Sequence, residues 1–386
     1  MPDPIPFHVP YYGRAAAERI AAALATQSLH GGGTVATRLE ARISVLLGGA
    51  PVMLTPSCTS ALEIAAEAAG LGPGDEVIVP GYTFLSSAAA IARTGARPVF
   101  VDVRAADLCL DLDCVRGAIT PCTRAIVPVH YAGQACDMAA LMRLAEQHGL
   151  TVIEDAAQAF LCEQAGRKLG TFGHFAAFSF HDSKVFTTGE GGALVVNDPR
   201  HIDAATRIRE KGSNRREFLQ GKVDKYGWVA QGTSGYMGGL AAALLDAQLD
   251  EAELIVDRRQ ALHRRYAAAL AKPLQARGWR CIGERPGEHL THHIFWIVCD
   301  SLSAQRGMTA SLATRGVQAT AHYPSLHLSP YAEARGWRPA APLEVTERAA
   351  NCLIRLPLFS ALSDADADHV IAAVLGHLEQ NKSPGD

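Results

Sequence analysis

The chain has 386 residues, 48% of them hydrophobic and 19% charged, with 36 basic against 39 acidic residues and a net charge of −3. That composition excludes a disordered chain, and that length favours two packed lobes over one. Near-neutral charge without a block of like sign argues against nucleic-acid and membrane-surface partners. No apolar run approaches ~18 residues, and Met1-Pro-Asp-Pro has neither a basic n-region nor an apolar h-region. Neither a membrane span nor a signal peptide is therefore expected, and a cytoplasmic protein is.

The nine cysteines (58, 109, 114, 122, 136, 162, 281, 299 and 352) are odd in number, scattered, and free of any C-x-x-C pair. They read as reduced, mostly buried thiols rather than a disulfide frame, and no metal site is expected. Cys58 stands apart because of its neighbours, Thr55-Pro-Ser-Cys-Thr-Ser. This segment begins as a turn and becomes a helix over about 60–69. Ser57, Thr59 and Ser60 can cap it, and exposed amides at a helix N-terminus make an anion site, although a plain N-cap reads the same way.

Between about 50 and 200, apolar runs at 77–80, 98–102, 125–129, 152–155, 175–180 and 193–197 alternate with helical stretches such as Met138–His148. The alternation predicts an α/β fold with a mostly parallel sheet, whose ligands gather at the strands' carboxyl ends. Just beyond the first of these runs lies Pro80-Gly-Tyr-Thr-Phe-Leu-Ser-Ser. Phe84, with Tyr82 second, can stack there on a flat heterocycle or simply fill the seam between loop and sheet.

Farther on, Thr151-Val-Ile-Glu-Asp closes a strand on two acids. Alternation points Glu154 and Asp155 to opposite sides, and Asp155 is the candidate to sit beneath a pyridinium. Gln158, one turn later, can donate to a phenolic oxygen. Then comes Phe178-Ser-Phe-His-Asp-Ser-Lys184, followed by Thr-Thr-Gly-Glu-Gly-Gly at 187–192. Ser179 can bind phosphate, and the glycines let the backbone turn sharply near a ligand. Lys184 stands in an apolar, glycine-flanked setting that lowers an amine's pKa. His181 reads as a hydrogen-bonded core or pocket histidine. A lysine and an acid at the ends of two neighbouring strands suit pyridoxal 5'-phosphate (PLP). The lysine holds its aldehyde as a Schiff base, and the acid keeps the ring nitrogen protonated.

Downstream, one long helix is expected from about 240 to 270, leading to a smaller lobe with a strand at 294–298 and a helix near 309–314. The domains are expected at 1–250 and 251–386. The last six residues read as a disordered tail.

Thr55–Ala61, Pro80–Phe84, Val127-Pro-Val-His-Tyr-Ala-Gly, Glu154–Gln158, Ser179–Lys184 and Gly189–Gly192 together resemble the DegT/DnrJ/EryC1/StrS sugar aminotransferases, over about residues 5 to 375. The resemblance implies a PLP-dependent transferase type I (aspartate aminotransferase-like) fold and a homodimer with the active site at its interface. It matches Lys184 to the Schiff-base lysine and Asp155 to the pyridinium partner. It likewise matches Gln158 to the residue beside the phenolic oxygen, Phe84 to the stacking aromatic, and Thr59, Ser60 and Ser179 to the phosphate cradle.

The stretches Arg209-Glu-Lys-Gly-Ser-Asn-Arg-Arg-Glu-Phe and Gly221-Lys-Val-Asp-Lys-Tyr-Gly-Trp are most similar to the dTDP-4-amino-4,6-dideoxygalactose transaminases within that family. They imply a nucleotide-linked 4-keto-6-deoxyhexose as substrate and L-glutamate as donor, with a 3-aminotransferase as the alternative. Arg215, Arg216, Lys222 and Lys225 are candidates for the sugar nucleotide's diphosphate, and Tyr323 and His327, from a loop resembling the family's active-site mouth, for sugar or phosphate. Two positions depart from the family. Tyr236 and Gly238-Gly239 stand where a Ser/Thr–Asp/Glu pair is usual, and Val185 where asparagine is common. A dinucleotide oxidoreductase fits poorly, because Gly189-Glu-Gly-Gly-Ala-Leu194 lacks the last glycine of G-x-G-x-x-G and precedes a strand. A non-catalytic protein of this fold is disfavoured by the intact Lys184 and Asp155.

Overall fold

The computed structural model describes residues 4–339 and 341–380, so the expected tail at 381–386 lies outside the described residues. Seven strands form the main sheet, in the order Val52–Thr55, Gly192–Val196, Phe175–Ser179, Thr151–Asp155, Thr123–Ile126, Glu76–Pro80 and Arg97–Val101. Gly192–Val196 runs antiparallel to both neighbours, and the remaining pairs are parallel. The Val52–Thr55 strand departs from expectation: Thr55 ends a strand here instead of opening a turn.

Five of these strands are buried along their whole length or nearly so, as continuous runs of Val, Ile, Ala and Phe require when helices cover both faces. On one face lies Cys58–Ala68, whose alanines let it approach the Phe175–Ser179 and Gly192–Val196 strands closely. Met138–His148 begins at an Asp137 cap and stops at Gly149, which adopts the left-handed φ of 64° that favours glycine.

The single long helix is corrected to two, Gly239–Leu249 and Ala252–Ala276, broken at Asp250 and Glu251. Helix propensity allows these two acids, but tertiary contacts fix the break. Glu251 accepts from Tyr11 Oη (2.5 Å) and from the Arg14 amide (2.7 Å), while Asp250 pairs with Arg19 and Arg42. The second helix packs with Asp364–Gln380 beside a three-stranded antiparallel sheet of Arg280–Cys281, Phe295–Val298 and Leu353–Leu356. One apolar cluster runs from Ile78, Ile126 and Val152 of the main sheet to Phe295, Ile297 and Ile354 of the small one. All nine cysteines are free, and Cys114 and Cys122 are exposed, so burial does not account for those two.

Beneath the small sheet lies a group of buried histidines. Both ring nitrogens of His263 lack partners, and its ring packs 4.4 Å from that of His292 and 5.1 Å from Phe295. Arg259, wholly enclosed, donates to the carbonyls of His292 (3.0 Å) and His293. Burial and the nearby Arg259 hold His263 down at about 4, and burial with His263 and Arg259 holds His292 at about 3. Because these folded-state values lie below the unfolded value, the unfolded chain binds protons that the native state refuses. Their contribution to stability is intact above about pH 6.5 and is lost as pH falls toward 4. Removing one such proton difference should flatten the slope of stability against pH by up to about 1.4 kcal/mol per pH unit. Urea unfolding of His263→Leu and wild type between pH 4.5 and 7 measures it, and equal slopes would refute the linkage.

Candidate active site

The carboxyl ends of the parallel strands and the amino end of Gly192–Val196 meet at one edge of the main sheet. There Thr55 and Ser179 both pair with Gly192. An added Cβ on Gly192 would stand 2.4 Å from the Ser57 carbonyl carbon and 2.5 Å from the Cys58 nitrogen. The missing side chain therefore brings the N-terminus of Cys58–Ala68 down onto the strand. At that terminus Ser57 caps the helix by accepting from the Ser60 amide (3.1 Å), and Thr59 Oγ1 lies 2.7 Å from Ser86 Oγ. Of the three glycines expected to turn the chain, only Gly189 has a left-handed φ (78°). Gly191 and Gly192 serve close approach instead.

Asp155 and Glu154 part company as alternation requires. Glu154 is fully buried and accepts from the amides of Gly170 (2.8 Å), Phe172 (2.7 Å) and Gly173 (2.6 Å) and from His130 Nε2 (2.8 Å). It is a structural anchor. Asp155 turns the other way, with Oδ2 accepting from Ser87 Oγ (2.6 Å) and Oδ1 from the Ala157 amide (3.1 Å). Ser87 Oγ is itself 2.9 Å from Thr83 Oγ1. Sequence reasoning missed Ser87; its signal was the pair of serines opening the Ser86–Arg93 helix.

Lys184 follows Ser179 in a loop and lines a narrow cavity with Gln158, Ser179, Thr291 and His293. Its amine has no hydrogen-bond or ion-pair partner among the described residues. Burial lowers its pKa, offset by the nearby Asp155 and reinforced by Arg355. An amine so placed is more often neutral and nucleophilic than a solvated lysine. Burial raises the pKa of Cys58 well above its ordinary value, which makes the thiol a neutral neighbour. His181 is corrected: it is half exposed on the surface side, 3.0 Å from Ser183 Oγ and 3.7 Å from Glu190.

Gln158 is held at both ends, accepting from the Ala132 amide (2.7 Å) and donating to Tyr323 Oη (2.9 Å). Tyr323 stacks on His322 (3.5 Å between centroids) and faces Tyr82, Phe84 and Tyr131. Phe84 is 51% exposed at this mouth, whereas Tyr82 is buried. His327 is not brought to Lys184. Its Nε2 lies 3.1 Å from Glu347 Oε1, in a separate cavity with Trp337. Arg215, Arg216, Lys222 and Lys225 sit together on an exposed excursion, with Arg216 donating to Thr206 Oγ1 (3.1 Å), and none lines the Lys184 cavity. A wider cleft of 880 Å³ lies under Leu47–Pro51 and holds none of these groups.

These parts fit PLP. An uncommitted amine stands near an oriented carboxylate, and a helix N-terminus held close by Gly192 offers donors for a phosphate. Comparison with known proteins agrees. The DegT/DnrJ/EryC1/StrS aminotransferase family model matches residues 10–375. The spore coat polysaccharide biosynthesis protein SpsC of Bacillus subtilis (strain 168) is 31% identical over 377 residues, 96% of each chain. Among solved structures, DesV of S. venezuelae is 33% identical with a TM-score of 0.89, covering 98% of this chain and 100% of its own. The PLP form of Spr1654 from Streptococcus pneumoniae is 26% identical with a TM-score of 0.90, covering 98% and 100%. The chain belongs to the DegT/DnrJ/EryC1/StrS aminotransferase family and is a PLP-dependent enzyme.

Proposed function

We propose that the enzyme aminates a nucleotide-linked 4-keto-6-deoxyhexose, dTDP-4-keto-6-deoxyglucose in the first instance, with L-glutamate as amino donor. The observation that carries an aminotransfer reading is the half-buried Lys184 amine, without a partner among the described residues, facing a cavity with Ser179 next to the strand end that carries the oriented Asp155. A sugar substrate is supported by the relative SpsC, whose name places it in polysaccharide biosynthesis. The choice of C4 rests on the likeness of the 209–228 segment to the 4-amino-4,6-dideoxygalactose transaminases.

When bound, PLP supplies an electron sink for the carbon that gains or loses the amine. Lys184 would hold it through Nζ; once the donor's amine has displaced that bond, the freed Nζ would take the proton from the donor's α-carbon and, in the second half-reaction, deliver one to the sugar carbon bearing the new amine. Asp155 holds the ring nitrogen's proton, with Ser87 and the Ala157 amide fixing the carboxylate's direction. Thr59, Ser60 and Ser179 would bind phosphate, Gln158 would orient the ring oxygen, and Phe84 would cover the ring. Tyr323 stands where the sugar would enter.

The exposed segment from Arg215 to Val229 carries Phe218, Leu219, Tyr226 and Trp228, the last 84% exposed. So much uncovered aromatic surface beside four cations supports a homodimer in which this segment reaches the partner's sugar-nucleotide site. Among the described residues no helix is long and apolar enough to cross a membrane.

Lys184→Ala should lower turnover by about 10³-fold or more while leaving the circular dichroism unchanged, because both the covalent hold and the proton transfer need Nζ. A variant with near wild-type turnover would exclude that role. Asp155→Asn should keep PLP yet lose about 10²-fold in rate, and Ser87→Ala about tenfold, the value of one hydrogen bond to a charged group. A Ser87→Ala variant slower than Asp155→Asn would show that Ser87 acts on something other than Asp155. Regiochemistry is decided by offering the 3-keto and 4-keto dTDP sugars with glutamate and identifying products by NMR. Amination at C4 is expected, with the galacto product favoured, and exclusive use of the 3-keto sugar would overturn the assignment.

A further inference from the structure

Lys184 ends a turn that starts at His181 and is closed by the Lys184 amide on the His181 carbonyl (2.9 Å), so the peptide between Asp182 and Ser183 is its central unit. The central peptide of such a turn can flip while the ends stay in place, and that flip separates the two commonest turn types. A flip here would change the direction in which the chain delivers Lys184. Both sides of this peptide are held. The Ser183 amide donates to His181 Nδ1 (3.2 Å), and the Asp182 carbonyl accepts from His8 Nε2 (2.9 Å), 174 residues away in sequence. Among the described residues no other donor reaches that carbonyl.

His8 is itself fixed from both directions. Upstream, Ile5 pairs with Val317: its amide donates to the Gly316 carbonyl (2.7 Å), and its carbonyl accepts from the Gln318 amide (3.1 Å). The Phe7 amide donates to Gln318 Oε1 (3.1 Å), and the Phe7 ring lies 4.6 Å from the Arg355 guanidinium. Downstream, Tyr11 and the Arg14 amide both hold Glu251. The His8 ring meets Phe359 edge-on, 6.2 Å between centroids. A carbonyl only accepts, so the ring's hydrogen sits on Nε2. Burial and the nearby Arg259 hold the His8 pKa down at about 4, which leaves a neutral donor near neutral pH. Tyr12 Oη adds a bond to Asp182 Oδ1 (3.2 Å), on a side chain that turns independently of the peptide.

We propose that His8 is a positioning residue for Lys184. Its Nε2 hydrogen fixes the central peptide of the turn, and with it the direction in which the lysine enters the cavity it shares with Ser179 and His293. A ring present only to fill space beside Phe359 would be replaceable by an apolar one, whereas a donor aimed at one carbonyl would not. The proposal rests on Lys184 as the residue that takes PLP, and not on which sugar or donor is used.

The test uses the full chain with and without PLP. Cofactor-free enzyme is mixed with PLP, and the covalent adduct at Lys184 is trapped with borohydride and followed by mass spectrometry. In His8→Phe the adduct should form about tenfold more slowly, the value of one hydrogen bond, and the amides of Ser183 and Lys184 should exchange with deuterium about tenfold faster. In the PLP-loaded enzyme both half-reactions should slow by a similar factor, because Nζ serves both, while the apparent affinities for glutamate and the keto sugar move less than threefold. His8→Gln, which keeps a donor, should recover most of each loss. Adduct formation and exchange within twofold of wild type, in a His8→Phe variant with native circular dichroism, would overturn the proposal. So would equal losses in His8→Phe and His8→Gln, which would make ring packing the cause, or a loss confined to the affinity for one substrate. His8→Leu takes the place of His8→Phe if that variant does not fold. If wild type aminates neither keto sugar, the substrate reading above fails, and adduct formation and exchange still decide His8.

Discussion

Placing a half-buried amine near a carboxylate without letting the two form an ion pair is the constraint on which the site depends. Left to themselves, Lys184 and Asp155 would pair, and a paired lysine is protonated and no nucleophile. The fold prevents it by satisfying Asp155 from elsewhere, through Ser87 Oγ on Oδ2 and the Ala157 amide on Oδ1. Lys184 arrives from a different strand end, in a loop whose backbone is fixed by bonds from the Lys184 amide to the His181 carbonyl and from the Thr188 amide to the Phe180 carbonyl. The carboxylate's direction and the amine's freedom are thus set by separate elements.

The small sheet completes this arrangement from the other side. Tyr323 holds the side-chain amide of Gln158, so that residue is positioned by the C-terminal part of the chain, not only by the strand that precedes it. Arg355 belongs to the same group through the Ala321 carbonyl. With one apolar cluster continuous between the two sheets, any shift of the small sheet would carry Tyr323 and Arg355 with it and move the Gln158 wall of the Lys184 cavity.

Much of this was legible in the sequence because it is local. Apolar runs predict buried strands, and strand alternation separates Glu154 from Asp155, which the hydrogen bonds of each bear out as a geometric fact. What escaped was set by long-range contacts. Ser87 looks like any serine in a first helical turn until Asp155, 68 residues away, is folded against it. His327 lies four residues from Tyr323, yet the Leu326–Leu328 turn, fixed by the Leu326 amide on the Gly81 carbonyl, sends its ring to Glu347. The hold of Arg355 on the Ala321 carbonyl, 34 residues away, was hidden in the same way. The helix break at Asp250 and Glu251 was invisible for a similar reason, since its cause is Tyr11 and Arg14.

The departure at Tyr236 and Gly238-Gly239 has a packing explanation in the same terms. Tyr236 lies under the Arg209 guanidinium (4.4 Å) and donates to Glu210 Oε1 (2.5 Å). Its ring fills the space where Gly31 would carry a side chain, since a Cβ there would fall 2.0 Å from Tyr236 Cβ. The Gly239 amide donates to the Leu29 carbonyl (2.8 Å), and a Cβ on Gly239 would come within 3.0 Å of Leu29 Cα. Small residues on one side and a large aromatic on the other are therefore matched across the contact between the 29–32 and 236–239 segments. A polar pair restored at 236–239 alone would leave Gly31 facing a void and Glu210 without its hydroxyl donor. The substitution belongs to a set of at least four positions, and its effect on the neighbouring site is carried through Arg209 and Glu210, at the start of the segment on which the choice of sugar rests.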